Sequence, residues 1–376
     1  MGTRHIKRFS SGLAAVLLSL TLAIAALTGC VAPEEAADDG RMKIVTTIFP
    51  QYDFARAIGG DKVSLCMLLS PGEEVHSYEP TPMDIKEIQN CDLFIYVGGE
   101  NDVWVDRILD NMGEKRPQTL RLVDLTDTVE EEIVEGMMEE RGHDHDHEHE
   151  EGDEDHDHDE AEHHEEAGED HHEDESHNEE SSHQHGGDSS HEEHEEADEH
   201  VWTSPVKAAE ITEAIAEKMA EIDPVNAESY IANAREYEAQ ILDLDARFRE
   251  IVENAELKTI VFGDRFPIRY FAEEYGLEYY AAFPGCSSET EPSASTLAFL
   301  IDKVREEQIP VVFSIEFSNG NIARAICESS GAVPGTFYSC HNLTKEQMEN
   351  GETYVTMMTE NLKVLQEALG RKAEER

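Results

Sequence analysis

Residues 224–256, PVNAESYIANAREYEAQILDLDARFREIVENAE, decide the architecture, because they form an unusually long helical pattern between two regions of another kind. Apolar side chains recur along this stretch at a helical period, which predicts one buried face. The recurring residues are Tyr230, Ile231, Ala234, Tyr237, Ile241, Leu244 and Phe248. At about 1.5 Å per residue the helix is on the order of 45–50 Å long, enough to cross between two domains. We therefore predict one long rigid linking helix.

On both sides of this helix, short apolar runs alternate with helical patterns. Residues 42–125 contain four such runs, among them LFIYVGG at residues 93–99. Four more follow the helix, from KTIVFGD at residues 258–264 to GTFYS at residues 335–339. Continuous apolar runs are typical of strands buried on both faces of a parallel sheet. The sequence therefore predicts an α/β protein with two similar lobes, each a parallel sheet covered by helices.

A segment of different composition, residues 141–199, interrupts the first lobe. It holds 28 Asp or Glu, 15 His and one basic residue, with no aromatic residue, Val, Ile or Leu. Because it has almost no apolar side chains to bury, we predict a disordered loop. Its imidazoles and carboxylates predict weak, reversible binding of several divalent ions; the alternative is a solvated acidic tract with incidental histidines. The histidines assigned to this accessory metal loop are His143, His145, His147, His149, His156, His158, His163 and His164.

The formal net charge of −55 excludes some classes of partner. Nucleic acids and anionic lipid surfaces attract positively charged proteins, so we expect neither to bind this chain. A divalent cation is the natural partner of so acidic a chain. The sequence also has no GxxxxGK[ST] run, which argues against nucleotide hydrolysis by the chain itself.

The N-terminus has the pattern of a targeting segment. A basic start precedes the apolar run of residues 12–27, which is too short for a comfortable membrane span. Leu27-Thr28-Gly29-Cys30 then resembles a bacterial lipobox, in which Cys30 carries the lipid. We predict a signal peptide over residues 1–29 and a lipid-anchored tether over residues 30–41; the alternative is an ordinary secretory signal that happens to contain a Cys.

Three histidines lie outside the leader and the accessory loop: His76, His200 and His341. Each lies in or beside a turn between predicted elements, where parallel α/β folds place their ligands. Neutral imidazoles and carboxylates are the ligands that Zn²⁺ and its neighbours prefer. Each histidine alone is more simply a solvated loop residue, but together they predict one metal site.

Several motifs resemble the extracytoplasmic solute-binding proteins of zinc and manganese ABC transporters. They are IVTTIFPQYDFARAIGG at residues 44–60, GEEVHSYEPTP at 72–82, DLFIYVGG at 92–99, EHVWTSP at 199–205 and YFAEEYGL at 270–277. The resemblance covers about residues 42–372. It implies two lobes, a long linking helix and one metal ion held in the cleft by ligands from both lobes. His76 and His200 match the first two ligand positions directly.

The resemblance leaves the other two ligands less defined. It places Gly263 at the third position, where Asp264 is the neighbouring candidate; the alternative is that Asp264 is a turn or cap residue. The fourth position falls in the turn that contains Cys340 and His341. We favour His341 as the ligand. Cys340 is the alternative, as a soft ligand. A site with His76, His200, His341 and Asp264 favours Zn²⁺, whereas two histidines and two carboxylates would favour Mn²⁺.

The family resemblance also gives a prediction for the cysteines. Zinc-type members of the family often carry a disulfide in the second lobe, and on that resemblance Cys286 is expected to pair with Cys340. The state of Cys66, Cys91 and Cys327 stays open. Glu316, at the end of a predicted strand, is a candidate for supporting a ligand without touching the ion.

The resulting hypothesis is capture of Zn²⁺ outside the cytoplasmic membrane and its delivery to an ABC permease with its ATPase. The chain is expected to act as a lipid-anchored monomer and not as an enzyme, since it has no HExxH motif or nucleophile beside a base. The alternatives are a manganese-binding homologue and a surface metal buffer or adhesin; a zinc hydrolase is the least favoured. The predicted divisions of the remaining chain are 42–140 and 200–223 for the first lobe, 141–199 for the loop, 224–256 for the linking helix and 257–376 for the second lobe.

Overall fold

Two four-stranded parallel sheets form the framework of the molecule, which confirms the predicted α/β class. The computed structural model describes residues 40–75, 78–99, 102–137, 197–287 and 291–370. The predicted leader, Cys30 and most of the predicted accessory loop lie outside these ranges. In the described part of the chain, every helix is too short or too polar to cross a bilayer.

The first sheet has the strand order β2-β1-β3-β4. Its elements are β1 (Met42–Thr46), α1 (Phe49–Gly59), β2 (Val63–Met67), α2 (Pro82–Asn90), β3 (Leu93–Tyr96), α3 (Val103–Met112) and β4 (Gln118–Arg121). In β3, Leu93 and Ile95 pack into one hydrophobic cluster, whereas Phe94 and Tyr96 pack into another. Because neighbouring residues of a strand face opposite sides, the sheet is covered on both faces.

Two helices lead from the first lobe to the second. They are α4 (Pro205–Ile222) and the linking helix α5 (Ala227–Glu253). The second sheet has the order β6-β5-β7-β8, so the two lobes repeat one topology. Its elements are β5 (Thr259–Phe266), α6 (Arg269–Tyr275), β6 (Glu278–Pro284), α7 (Ala294–Glu306), β7 (Val311–Ser314), α8 (Asn321–Ser330), β8 (Val333–Thr336), α9 (Lys345–Glu349) and α10 (Tyr354–Leu369).

The linking helix buries the stripe of side chains that its sequence predicts. The buried residues are Tyr230, Ala234, Tyr237, Ile241, Leu244, Phe248 and Val252. The helix packs along α4 and contacts α1 of the first lobe and α10 of the second. Its 27 residues begin three residues later and end three residues earlier than predicted. At the start, the Asp223 carboxylate accepts hydrogen bonds from Asn226 Nδ2 (2.6 Å) and the Tyr230 hydroxyl (2.8 Å), which stabilise a turn before the helix.

One hydrophobic cluster joins the two lobes. It includes Ile44 of β1, Trp202 before α4 and Phe262 of β5, all with almost no exposed surface. Because close-packed cores resist deformation, this shared core supports small movements of the lobes in preference to wide opening.

Two boundaries near the expected metal site differ from the sequence prediction. Strand β5 runs two residues further than predicted, to Phe266, with a shift of register between Phe262 and Arg265. The last strand, β8, lies before most of the predicted run at 335–339. Cys340 then adopts a left-handed φ of 62°, which turns the chain between that strand and His341.

Candidate metal centre

His200 lies in the short segment before α4 and has no exposed surface. Its backbone nitrogen and its ring Nδ1 are each 2.8 Å from Oδ1 of Asp198. A carboxylate oxygen accepts hydrogen bonds, so Nδ1 carries the proton and Nε2 presents its lone pair. Nε2 is buried and has no hydrogen-bond partner among the described residues. This is the state in which a histidine binds a metal ion.

Burial and the neighbouring carboxylates shift the pKa of His200 in opposite directions. Burial lowers the pKa of the imidazole, because a charged ring is poorly solvated in the interior. The Asp198 carboxylate, together with Glu199 and Glu131, outweighs burial and places the pKa of His200 above its ordinary value. The same negative groups that favour a proton on Nε2 also favour a metal cation there.

His341 lies in the turn that follows β8 and is also buried. Its Nδ1 is 2.7 Å from the hydroxyl oxygen of Ser339, and that hydroxyl donates to Oε1 of Glu316 at 2.7 Å. Because the hydroxyl proton goes to Glu316, the ring nitrogen is the donor to Ser339. The proton on Nδ1 leaves Nε2 as the ring nitrogen that has a lone pair for a metal ion.

Glu316 holds this turn by several hydrogen bonds. It also accepts the backbone N–H groups of Ser339 (2.7 Å) and His341 (3.1 Å). Burial raises the pKa of Glu316, and the hydrogen bonds from Ser339 and His341 oppose that rise. Glu316 therefore lies where a supporting residue was predicted, behind His341 and hydrogen-bonded within its turn.

The rings of His200 and His341 lie together, with centroids 4.8 Å apart and planes at 80°. Trp202 packs edge-to-face against His341 at 4.9 Å, and its Nε1 donates to the Ser339 carbonyl at 2.9 Å. One imidazole thus comes from the end of the first lobe and one from the second. Zinc–nitrogen bonds are about 2.0–2.1 Å long, so two imidazoles that bind one zinc ion have to lie about as near to each other as these two rings do.

The loop that contains His76 is held against the same turn, although His76 itself lies outside the described residues. Asn342 Nδ2 donates to the carbonyl oxygens of Ser70 (2.8 Å) and Glu73 (2.9 Å). Arg265 of β5 forms an ion pair with Glu74 at 2.8 Å. These contacts cross between the lobes and fix the residues that immediately precede His76.

The sequence predicts that Asp264 lies in the turn after its strand. In the structure it lies inside β5. Its Oδ1 accepts the N–H of Arg265 at 2.9 Å, and its Oδ2 accepts the N–H of Ile315 at 3.2 Å. These bonds join β5 to the end of β7 and explain the position of Asp264 without a metal ion. Its role as a ligand stays a prediction.

Close packing requires a glycine at residue 263. A Cβ atom at this position would lie 2.5 Å from the backbone nitrogen of Ala323, at the start of α8. The helix therefore approaches too closely for any side chain.

The predicted disulfide between Cys286 and Cys340 does not form in this structure, in which both residues are thiols. The turn at Cys340 directs its side chain into the core, where Sγ lies 3.9 Å from the Tyr338 carbonyl oxygen. Burial, together with Glu316 and Asp53, raises the pKa of this thiol well above its usual value. A protonated thiol is a poor metal ligand, so Cys340 is less suited than His341 to bind an ion.

Cys286 instead lies beside His200. Among the described residues, one group of three or more metal-binding side chains has its ligand atoms within 4.8 Å of one another: Glu199, His200 and Cys286. Sequence reasoning missed this group and the Arg265–Glu74 ion pair. The one available signal for this group was that Glu199 is next to the predicted ligand His200. The approach of Cys286 is a tertiary contact and has no signal in the sequence.

Comparison with known proteins gives one family. The model described as "Zinc-uptake complex component A periplasmic" (ZnuA) matches residues 44–368. The chain is 28% identical over 352 residues to the zinc-binding lipoprotein AdcA of Streptococcus pneumoniae, with 93% of this chain and 60% of AdcA covered. It is 29% identical over 329 residues to the high-affinity zinc uptake system protein ZnuA of Bacillus subtilis, with 88% of each chain covered.

A solved structure gives the same result. The chain superposes on the Zn(II)-bound ZnuA-like domain of Streptococcus pneumoniae AdcA with a TM-score of 0.63 and 25% identity. The match covers 88% of this chain and 99% of that domain. The similarity thus extends over both lobes.

Proposed function

Because the chain belongs to the ZnuA family of periplasmic zinc-uptake components, we propose that it captures Zn²⁺ outside the cytoplasmic membrane and delivers it to an ABC permease. The chain spans 60% of the length of the AdcA relative. The cargo is a divalent transition metal held between the two lobes.

The buried pair of imidazoles carries this proposal. His200 and His341 come from different lobes, and each has its Nδ1 engaged, by Asp198 and by Ser339 respectively. Metal-binding histidines are typically oriented in this way by a carboxylate or another acceptor behind them. In our proposal zinc bonds to Nε2 of both rings. His76 supplies a further ligand from the loop that Asn342 holds in place.

The donor set favours zinc over manganese. Imidazole nitrogens suit Zn²⁺, whereas Mn²⁺ prefers carboxylate oxygens. The nearby carboxylates of Asp264 and Glu316 accept backbone N–H groups and hold their own segments in place. These two carboxylates are therefore better placed to support the site than to coordinate the ion.

Delivery follows from the topology of the cleft. The cargo lies between two lobes that share one core, so release requires a small separation of His200 from His341. The permease and its ATPase supply the energy for that step. The protein acts as a monomer outside the cytoplasm, anchored through a lipid on Cys30. The accessory loop raises the local concentration of cations.

The test is a chelator-competition titration of Zn²⁺ and Mn²⁺ on lipid-free protein lacking residues 143–194. This deletion removes all 15 histidines of the accessory loop and keeps the pairing of Ala197 with Glu130. We expect one tight zinc ion per chain, weaker manganese binding, and a loss of zinc affinity of more than about 100-fold in His200→Ala and His341→Ala, because losing a ligand exceeds the typical cost of losing an outer partner.

Cys327→Ala is the matched control, since this buried thiol lies on α8 in a separate hydrophobic cluster. It should bind zinc as tightly as the unsubstituted protein. Absence of tight zinc binding without the loop would place the binding in the loop and contradict the proposal.

Growth separates transport from the alternative of a metal buffer or adhesin. If the chain delivers zinc, deleting it abolishes growth in zinc-depleted medium, and the His200→Ala variant does not restore growth. A buffer or adhesin would leave that growth unchanged. We propose no catalytic role, since the named relatives are zinc-binding and zinc-uptake proteins.

A further inference from the structure

A second set of metal-binding atoms adjoins the cleft site. A carboxylate oxygen of Glu199, a ring nitrogen of His200 and Sγ of Cys286 all lie within 4.8 Å of one another. Glu199 and His200 are buried, and Cys286 is half-buried. They come from two parts of the chain, the segment before α4 and the turn after β6.

The chemistry of this group is specific for soft or borderline divalent cations. Imidazole nitrogen, carboxylate oxygen and thiolate sulfur are the three kinds of zinc ligand in proteins. His200 contributes Nε2, since Asp198 occupies its Nδ1, and Nε2 has no hydrogen-bond partner among the described residues. Three protein ligands leave one position of a tetrahedral ion open to exchange.

The group is held in place from both sides. Oε1 of Glu131 accepts the backbone N–H of Cys286 at 3.1 Å, and the neighbouring Glu130 pairs with Ala197 as an isolated antiparallel bridge. On the other side, Gly285 lies so close that a Cβ there would be 3.1 Å from Cε1 of His200. The backbone of Gly285 and Cys286 is therefore held between Glu131 and His200.

We propose that Glu199, His200 and Cys286 form a second zinc position, which shares His200 with the cleft site and is occupied in alternation with it. This inference rests on the proposed function. One Nε2 lone pair binds one ion, so the two positions cannot both be filled through His200. Zinc moves between them by exchanging His341 for Glu199 and Cys286 while His200 stays bound. On binding, the Cys286 thiol loses its proton to solvent and coordinates as thiolate.

Cobalt(II) tests this directly, because a cobalt–thiolate bond gives a sulfur-to-metal charge-transfer band in the near ultraviolet that histidine and carboxylate ligands do not give. The full chain is titrated with Co²⁺ with Cys30→Ser in every variant, so that the tether adds no thiol. We expect the band in the otherwise unsubstituted chain and its complete loss in Cys286→Ser. Cys66→Ser is the matched control, because Cys66 is also half-buried, and it should keep the band.

A second variant separates this inference from the proposed function. His341→Ala removes a cleft ligand and leaves the three atoms of the second position, so it should keep the cobalt band while tight zinc binding is lost. A chain with tight zinc binding but no band, or a band that survives in Cys286→Ser, overturns the second position alone. A band without tight zinc binding in the unsubstituted chain overturns the cleft site alone.

Discussion

His200 and His341 lie ring to ring, yet the protein holds them in different ways. Nδ1 of His200 meets the Asp198 carboxylate directly at 2.8 Å, whereas Nδ1 of His341 reaches Glu316 only through the Ser339 hydroxyl. A hydrogen bond to a charged acceptor is roughly twice as strong as one to a neutral acceptor. In the cleft site that we propose, the first lobe therefore contributes the stronger metal ligand, and the second lobe contributes the one that is released more easily.

Among the residues that support the two rings, the largest effect is expected from Asp198→Asn, which removes the charge behind His200 and keeps the shape of the side chain. We expect the dissociation constant for zinc to rise by about 100-fold, the upper end of the range for partners behind a ligand. Chelator competition on the protein lacking residues 143–194 measures it. Asp110→Asn, an exposed carboxylate on α3, is the control and should have no effect. If Asp198→Asn bound zinc as tightly as the unsubstituted protein, the charge of Asp198 would not make His200 a stronger ligand than His341.

A smaller effect is expected from Ser339→Ala. The backbone N–H of residue 339 still bonds to Glu316, so only the hydroxyl behind the His341 ring is lost. We expect about a tenfold weaker zinc affinity, the lower end of the same range, in the same assay. Ser229→Ala, at an exposed position of α5, should bind as before. A loss as large as that of Asp198→Asn would show that the two supports are equivalent.

Arg265→Ala tests whether the contact between the lobes slows release. The side chain of Arg265 is 15% exposed and that of Glu74 is 39% exposed, so their ion pair is partly screened. Such pairs contribute about 0.5–1 kcal/mol, and we expect zinc to leave two- to fivefold faster in stopped-flow chelation. Arg247→Ala removes an exposed pair within α5 and serves as the control. An unchanged release rate in Arg265→Ala would show that the pair does not restrain the lobes.

The smallest effect on zinc affinity is expected at Asp102, a buried carboxylate that accepts hydrogen bonds from two backbone N–H groups. Burial and the nearby Glu199 carboxylate raise its pKa to about 7, against hydrogen bonds from Gly98 and Val97 and the positive charge of Arg121. Between its ordinary pKa and about 7, the folded protein binds a proton that the unfolded chain lacks. Its contribution to stability is therefore present at low pH and falls as pH rises towards 7.

Denaturant unfolding of the same deletion protein from pH 4.5 to 7.5 checks this prediction. Asp102→Asn should lose less stability than the unsubstituted chain as pH rises through this window, with zinc affinity at pH 7.5 unchanged. Parallel stability curves would show that Asp102 titrates as an ordinary carboxyl group.

The fold and the two histidines that lie together in the cleft were accessible from the sequence, because their signals are local. The strands appear as continuous apolar runs, and α5 appears as a stripe at helical spacing. His200 and His341 each lie beside a predicted element, so the topology of parallel sheets brings them to one cleft. Their supports, Asp198 and Ser339, are each two residues away in the chain and have no sequence pattern of their own.

The remaining features depend on tertiary packing. The shift of register in β5 places Asp264 against the backbone of Ile315, and the close approach of α8 requires Gly263. No local pattern indicates either feature. The expected disulfide is absent from this structure, because the backbone at Cys340 turns its thiol into the core while Cys286 faces His200.

The most direct test is a crystal structure of the zinc-loaded chain, with anomalous data collected on both sides of the zinc absorption edge. We predict one strong zinc peak between the lobes, bonded to Nε2 of His200 and Nε2 of His341 at about 2.0–2.1 Å. An ion bound away from both rings, or a cleft without zinc in a chain that carries zinc elsewhere, would contradict the central claim that these two histidines hold the cargo.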